Sequence, residues 1–152
     1  MYRRCEKSIR QAPFILDFYE FNAKNDKIIS YVQNCSVMLI MFDLNNRNSF
    51  DNLNDCWLNF LKSDCYYSND IYILGNYLNK SSAPLTCPEE VIEMIKFSEI
   101  NANYIEVGNK TSDELNILID ELIFQTYKDE LKNAKAEDCK GGSFKVNKCG
   151  IY

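Results

Sequence analysis

The stretch Ser36–Trp57, SVMLIMFDLNNRNSFDNLNDCW, changes its hydrophobic period half-way, and that change decides the fold. Val37, Met38, Leu39, Ile40, Met41 and Phe42 form an apolar run ended by Asp43 and a cluster of asparagines. Such a run between polar boundaries reads as a strand buried on both faces. Beyond it Phe50, Leu53, Trp57, Leu58 and Leu61 recur at three- and four-residue spacing, which is one face of a helix. Asn48 and Ser49 are N-cap candidates at its start. A strand buried on both faces needs helices above and below it, so strand, loop, helix implies a parallel α/β sheet.

The same alternation continues outward. Upstream, Phe14-Ile15-Leu16-Asp17 is a short apolar strand ending in an acid, and Asn22–Asn34 carries a modest helical stripe of Ile28, Ile29 and Val32. Downstream, a polar loop at Asp64–Asn69 leads to the buried strand Ile71–Leu74, broken by Gly75-Asn76, and then to a loop at Lys80–Pro84. Thr86-x-x-Glu89 is a capping box with Pro88 in the first turn, so a helix starts there. Val91, Ile92, Ile95 and Phe97 carry that helix to about Ile100. Tyr104–Val107 is a third short strand after Ser36. Thr111-x-x-Glu114 caps a last helix with Leu115, Leu118, Ile119, Leu122 and Ile123 on one face, running to about Leu131. The chain therefore divides into a weakly structured segment 1–13, an α/β domain over 14–132 and a polar tail 133–152. The tail contains Gly141-Gly142 and reads as flexible.

Composition narrows the function classes. A chain of 152 residues is one domain by size. A net charge of −5 gives no case for non-specific nucleic-acid binding. No apolar run approaches the roughly 20 residues of a transmembrane helix, and the N-terminus lacks the apolar core of a signal peptide. The seven cysteines (Cys5, Cys35, Cys56, Cys65, Cys87, Cys139 and Cys149) are odd in number and include no C-x-x-C pair, so they read as reduced thiols of a cytoplasmic protein. There is no histidine, which removes His-based triads and His-ligated metal sites.

Ligands of parallel α/β sheets sit beyond the carboxyl ends of the strands, which directs attention to Asp17, Asp43, Asn76 and Glu106. Here the wording Phe42-Asp43-x-x-Asn46-x-x-Ser49-Phe50…Trp57 resembles the fourth strand and third helix of Rab-type small GTPases. Counted back without a gap, Asp17-Phe18-Tyr19-Glu20-Phe21-Asn22 falls where that family carries D-T-A-G-Q-E. The resemblance implies that Asp17 matches the acid supporting a magnesium ion. Glu20 replaces the glycine that meets the γ-phosphate, and Phe21 replaces the glutamine that orients the attacking water, a task a phenyl ring has no polar group for. Gly75-Asn76-Tyr77-Leu78-Asn79 stands at the guanine-recognition motif G-N-K-x-D: Asn76 matches, Tyr77 replaces the lysine, and Asn79 replaces the aspartate. Glu106-Val107-Gly108-Asn109-Lys110-Thr111 matches E-T-S-A-K-T at Glu106, Lys110 and Thr111. Asn76, Asn79 and Lys110 are thus the remaining, degenerate guanine-site positions. From the residues alone, Asp17 reads equally as a strand-terminating acid, Asn76 and Asn79 as a polar turn, and Lys110 as a solvated lysine.

The phosphate loop G-x-x-x-x-G-K-[ST] is missing. Its glycines let backbone N–H groups wrap the phosphates, yet none of the five glycines at 75, 108, 141, 142 and 150 begins the pattern. The resemblance covers about residues 14–127 and leaves out the family's first strand, which lies mid-sheet between the strands matching 14–17 and 37–43. Either those two strands pair directly, or residues 1–12 fill the gap. Otherwise core backbone groups go unpaired at about 1–3 kcal/mol each.

The resemblance implies a Rab-like protein acting in vesicle trafficking as a binding module for proteins of the trafficking machinery, a pseudoenzyme with little or no GTP hydrolysis. It implies GTP or GDP with Mg as cofactors only if the missing N-terminal part exists. Two alternatives stand beside it: a fragment of a genuine GTP-binding Rab GTPase, and an unrelated flavodoxin-like or response-regulator-like domain using Asp43 and Lys110. Rab-type proteins end in prenylated cysteines. Cys149 is fourth from the end, with Lys140, Lys145 and Lys148 nearby, so it reads either as a free thiol on a frayed tail or as a lipid site giving weak attachment to endomembranes.

Overall fold

The computed structural model describes residues 2–21, 35–64, 70–77, 83–108, 110–136 and 144–151; at 21, 63–64, 129–136 and 144–151 it describes backbone alone. Its strands are β1 (Tyr2–Ile9), β2 (Ala12–Phe21), β3 (Val37–Asp43), β4 (Asp70–Asn76), β5 (Ala102–Glu106) and β6 (Phe144–Ile151). Between β3 and β4 run α1 (Arg47–Asn52), a π-helical segment (Leu53–Leu58) and α2 (Asn59–Asp64) without a break. Helix α3 (Pro88–Ser98) links β4 to β5, and α4 (Ser112–Ala136) follows β5.

The six strands form one sheet in the order β1-β2-β6-β3-β4-β5. β2, β6, β3, β4 and β5 are parallel along that order, and β1 is antiparallel on the outer edge of β2. The expected parallel α/β sheet with its four strands is present. The alternation of β3 explains why its run is apolar throughout. Met38, Ile40 and Phe42 face a core with Phe50, Leu53, Trp57, Leu58, Leu61, Val91 and Ile95. Val37, Leu39 and Met41 face the other side, where Leu115, Leu118 and Leu122 of α4 pack. All five stripe residues of the Phe50–Leu61 helix are buried, each apolar side chain contributing about 1.5–3 kcal/mol. The π-helical segment carries the adjacent pair Trp57-Leu58, both buried on this face.

Several local expectations are corrected. The N-cap of α1 is Asn46, whose side chain accepts from the Asn48 N–H; Ser49 Oγ instead accepts from the Asp43 N–H at 3.0 Å. Cys87 occupies the N-cap position of α3, without a side-chain cap, and Thr86 is buried with no hydrogen-bond partner for its hydroxyl. The Thr111–Glu114 box does form: the Thr111 N–H donates to Glu114 Oε2 at 2.7 Å and the Glu114 N–H to Thr111 Oγ1 at 3.3 Å. On α3 only Val91 and Ile95 of the expected stripe are buried, while Ile92 and Phe97 are exposed. The expected helical stripe of Ile28, Ile29 and Val32 lies outside the described residues.

The two ends of the chain differ most from expectation. Residues 2–9 are not weakly structured: they form β1, paired along its length with β2. Residues 144–151 are not a flexible tail. They form β6, parallel to β2 from Phe14↔Phe144 to Phe21↔Ile151 and to β3 from Val37↔Lys148 to Ile40↔Ile151. The gap between β2 and β3 is thus filled neither by direct pairing nor by residues 1–12. The physical reason is that two mid-sheet strands require partners for their backbone N–H and C=O groups, and β6 supplies them. The pattern F-K-V-N-K-C-G-I breaks its alternation at Lys148, which hid the strand. Cys149 consequently sits opposite Tyr19 and Met38 in the middle of the sheet, a place that suits neither a frayed thiol nor a lipid-bearing tail. Among the described residues no helix is long and apolar enough to cross a membrane.

Candidate functional site

At the carboxyl ends of β3, β4 and β5 three loops are tied together by backbone bonds. The Leu44 N–H donates to the Asn76 carbonyl at 2.8 Å, the Val107 N–H to the Gly75 carbonyl at 2.8 Å, and the Leu85 N–H to the Leu44 carbonyl at 2.8 Å. Gly75 pairs with Glu106 across β4 and β5, so the loops holding Asn76 and Lys110 are neighbours. Asn76 is half-buried as the last residue of β4; Lys110 is exposed, and its N–H donates to the Val107 carbonyl at 3.3 Å. Asn79 lies outside the described residues.

Two tyrosines close this end. Tyr77 Oη donates to Glu106 Oε2 at 3.3 Å and Tyr104 Oη approaches Oε1 at 3.5 Å. Burial first, and the Glu106 carboxylate second, raise the pKa of both phenols above the ordinary tyrosine range. The Tyr77 ring lies directly on the Gly108 backbone: a β-carbon at Gly108 would fall 1.6 Å from Tyr77 Cδ2. A β-carbon at Gly75 would fall 2.6 Å from Tyr104 Oη, so this glycine too makes room for an aromatic ring.

Asp17 stands elsewhere. It is the sixth residue of the ten in β2, not a strand terminus, and only 5 % of its surface is exposed. Arg4 grips it with two parallel bonds, Nε to Oδ1 at 2.6 Å and Nη2 to Oδ2 at 2.7 Å, and Tyr2 Oη donates to Oδ1 at 3.0 Å. The bidentate carboxylate holds the Arg4 guanidinium above its ordinary pKa. Neither Tyr2 nor Arg4 was picked out from the sequence. The hairpin brings them together: pairing runs symmetrically about Arg10-Gln11, which sets Arg4 opposite Asp17 and Tyr2 opposite Tyr19.

Asp43 ends β3 with Oδ1 accepting the Asn45 N–H at 3.0 Å and its carbonyl accepting the Asn46 N–H at 3.0 Å. That is a turn-forming role, which fixes the entry to α1. Among the described residues no group of three or more Cys, Asp or Glu side chains is arranged to hold a metal ion. At two matching positions the described residues depart from what a guanine nucleotide with magnesium would meet in the resembled family. The carboxylate matching the magnesium-supporting acid is bound to a guanidinium, whose charge opposes a cation beside it. The ring matching the base-packing lysine packs against Gly108 of the next loop.

A search among curated proteins found no match to this chain. A family model described as the Ras family matches residues 17–128, more than half of the chain, beginning at Asp17 and running through α4 as far as Lys128. Together with the parallel sheet, its helices on both faces and the order of the strand-end loops, this match shows that the chain belongs to the Ras family.

Proposed function

We propose that this Ras-family protein is of Rab type and works in vesicle trafficking as a binding module for other proteins, with little or no GTP hydrolysis. The Rab assignment rests on the wording from Phe42 to Trp57. The observation that carries the loss of catalysis is the bidentate Arg4–Asp17 pair, which occupies the carboxylate a nucleotide-bound magnesium would need. Phosphoryl transfer in this class depends on positioning plus charge stabilisation by metal, lysine and water-orienting groups. Phe21 stands where the water-orienting group belongs, and Glu20 stands where a glycine would meet the γ-phosphate. On the base side Asn76 is retained, and neutral hydrogen bonds worth about 0.5–1.5 kcal/mol each do not add up to tight binding.

The test is calorimetric titration with GDP and GTP in magnesium, beside a phosphate-release assay. Dissociation constants well above micromolar and release at background are expected. Submicromolar GDP, or phosphate release that disappears in Asp17→Ala, would return the protein to the working GTPases.

A further inference from the structure

We propose that the groove between α1 and α3 is the docking site for a basic, amphipathic segment of a partner protein. This inference rests on the reading of the chain as a protein-binding module and names the surface and the partner's chemistry. The groove encloses about 430 Å³ and is lined by Phe50, Asp55, Glu90, Glu93, Met94 and Phe97 among others. Three observations specify its occupant.

The first is an apolar rim without cover. Phe97 is 85 % exposed, off the helix face that buries Val91 and Ile95, and Met94 beside it is half-buried. The second is charge. Asp51, Asp55, Glu90 and Glu93 set four carboxylates on the lining against Arg47 and Lys62. Arg47 is already committed: it lies 2.5 Å from Glu90 and 3.3 Å from Asp51, with its guanidinium 4.7 Å from the Phe50 ring centroid. It ties the two walls together and offsets one of these two negative charges. The acids not joined to Arg47 are Asp55 and Glu93, one on each wall. The third is geometry: acids on facing helices with an exposed phenyl ring suit a segment that presents one bulky apolar side chain flanked by lysine or arginine. Anionic lipid surfaces and nucleic acid are disfavoured by the same carboxylates. A second copy of this chain would set like charges face to face in a two-fold interface.

The experiment uses the full chain without nucleotide and a fluorescein-labelled helical probe peptide of leucine and lysine at amphipathic spacing, read by anisotropy. Saturable binding is expected, weakened about tenfold or more by Glu93→Lys and by Phe97→Ser, and absent for the probe with glutamate in place of lysine. Ile117→Ser, a control at another exposed apolar side chain, is expected to leave the affinity unchanged. All three substituted residues are exposed, so folding is preserved, and circular dichroism checks it. No saturable binding overturns the proposal, as does equal affinity in the Glu93 and Phe97 variants or equal weakening by Ile117→Ser. A dimer in analytical ultracentrifugation that Phe97→Ser dissolves also overturns it and assigns the face to self-association. Tight GDP binding would contradict the loss of nucleotide function without touching this titration, so the two readings fail separately.

Discussion

Gly108 is held to glycine by its neighbour rather than by its own backbone angles. The Tyr77 ring occupies the position a β-carbon would take, and Tyr77 is in turn fixed by Glu106. Gly108→Ala must therefore expel the ring, and we expect a loss of about 1–3 kcal/mol, the usual range for overpacking. Tyr77→Ala should relieve most of that loss in the double variant, and urea unfolding of the four proteins measures the coupling. The same pair of tyrosines gives a pH prediction. A phenol whose pKa is raised in the folded state contributes stability that is whole below the unfolded value near 10 and is lost as pH rises above it. Stability should hold to about pH 10 and then fall, less steeply in Tyr104→Phe; thermal melts across that range check it, with tyrosinate absorbance reporting the titration. At this scale the sequence was legible where strand position alone carries the reading, as for Asp43 and Asn76 at the ends of β3 and β4. It was illegible where a partner decides. Nothing in Asp17 itself announces Arg4, because the pair exists only through the register of a hairpin that composition did not reveal.

That hairpin turns on Arg10 and Gln11, both in the left-handed region with φ of 48° and 70°. A two-residue turn of this hand matches the twist of its strands and favours asparagine or glycine. Neither residue here is of that kind, which is why the turn did not stand out in the sequence. Arg10 is compensated: Nη2 lies 2.6 Å from Glu121 and the guanidinium is 3.7 Å from the Phe124 centroid, pinning the turn to α4. Among the described residues Gln11 has no such contact to lose, so Gln11→Gly should raise stability by about 0.5–1 kcal/mol, whereas Arg10→Gly should not; chemical denaturation of the two variants separates them. Elements with strong periodic signals were legible for the opposite reason. The run Val37–Phe42 and the stripe Phe50–Leu61 are long, apolar and fully used in the core. Caps were less legible, because Asn46, Asn48 and Ser49 are all competent and only the loop geometry from Asp43 chooses among them.

β6 joins what would otherwise be two sheets, β1-β2 on one side and β3-β4-β5 on the other. Its slot is the one the resembled family gives to its first strand, so the order of strands in space is preserved while their order along the chain is rotated. A sequence reading that follows the chain cannot see this. It registers a polar stretch at the far end and a gap near the beginning, and only the demand for backbone partners connects the two. The consequence is that stability of the whole molecule hangs on residues 144–151. Cys149 lies within the span paired on both sides, so proline there removes a backbone donor in mid-sheet and forces the strand's φ, at a cost of about 3 kcal/mol or more. Cys149→Ser, which keeps the backbone donor, should lose far less. Urea unfolding should show the midpoint falling sharply for the proline variant. Amide exchange should speed up together in β2 and β3, because both lose their shared neighbour. A proline variant with an unchanged midpoint would mean that 144–151 carry no sheet, and mass spectrometry of the protein from its own cells adds a second check. A Cys149 paired within β6 should be unmodified, and a prenyl mass on it would show that β6 leaves the sheet for a membrane.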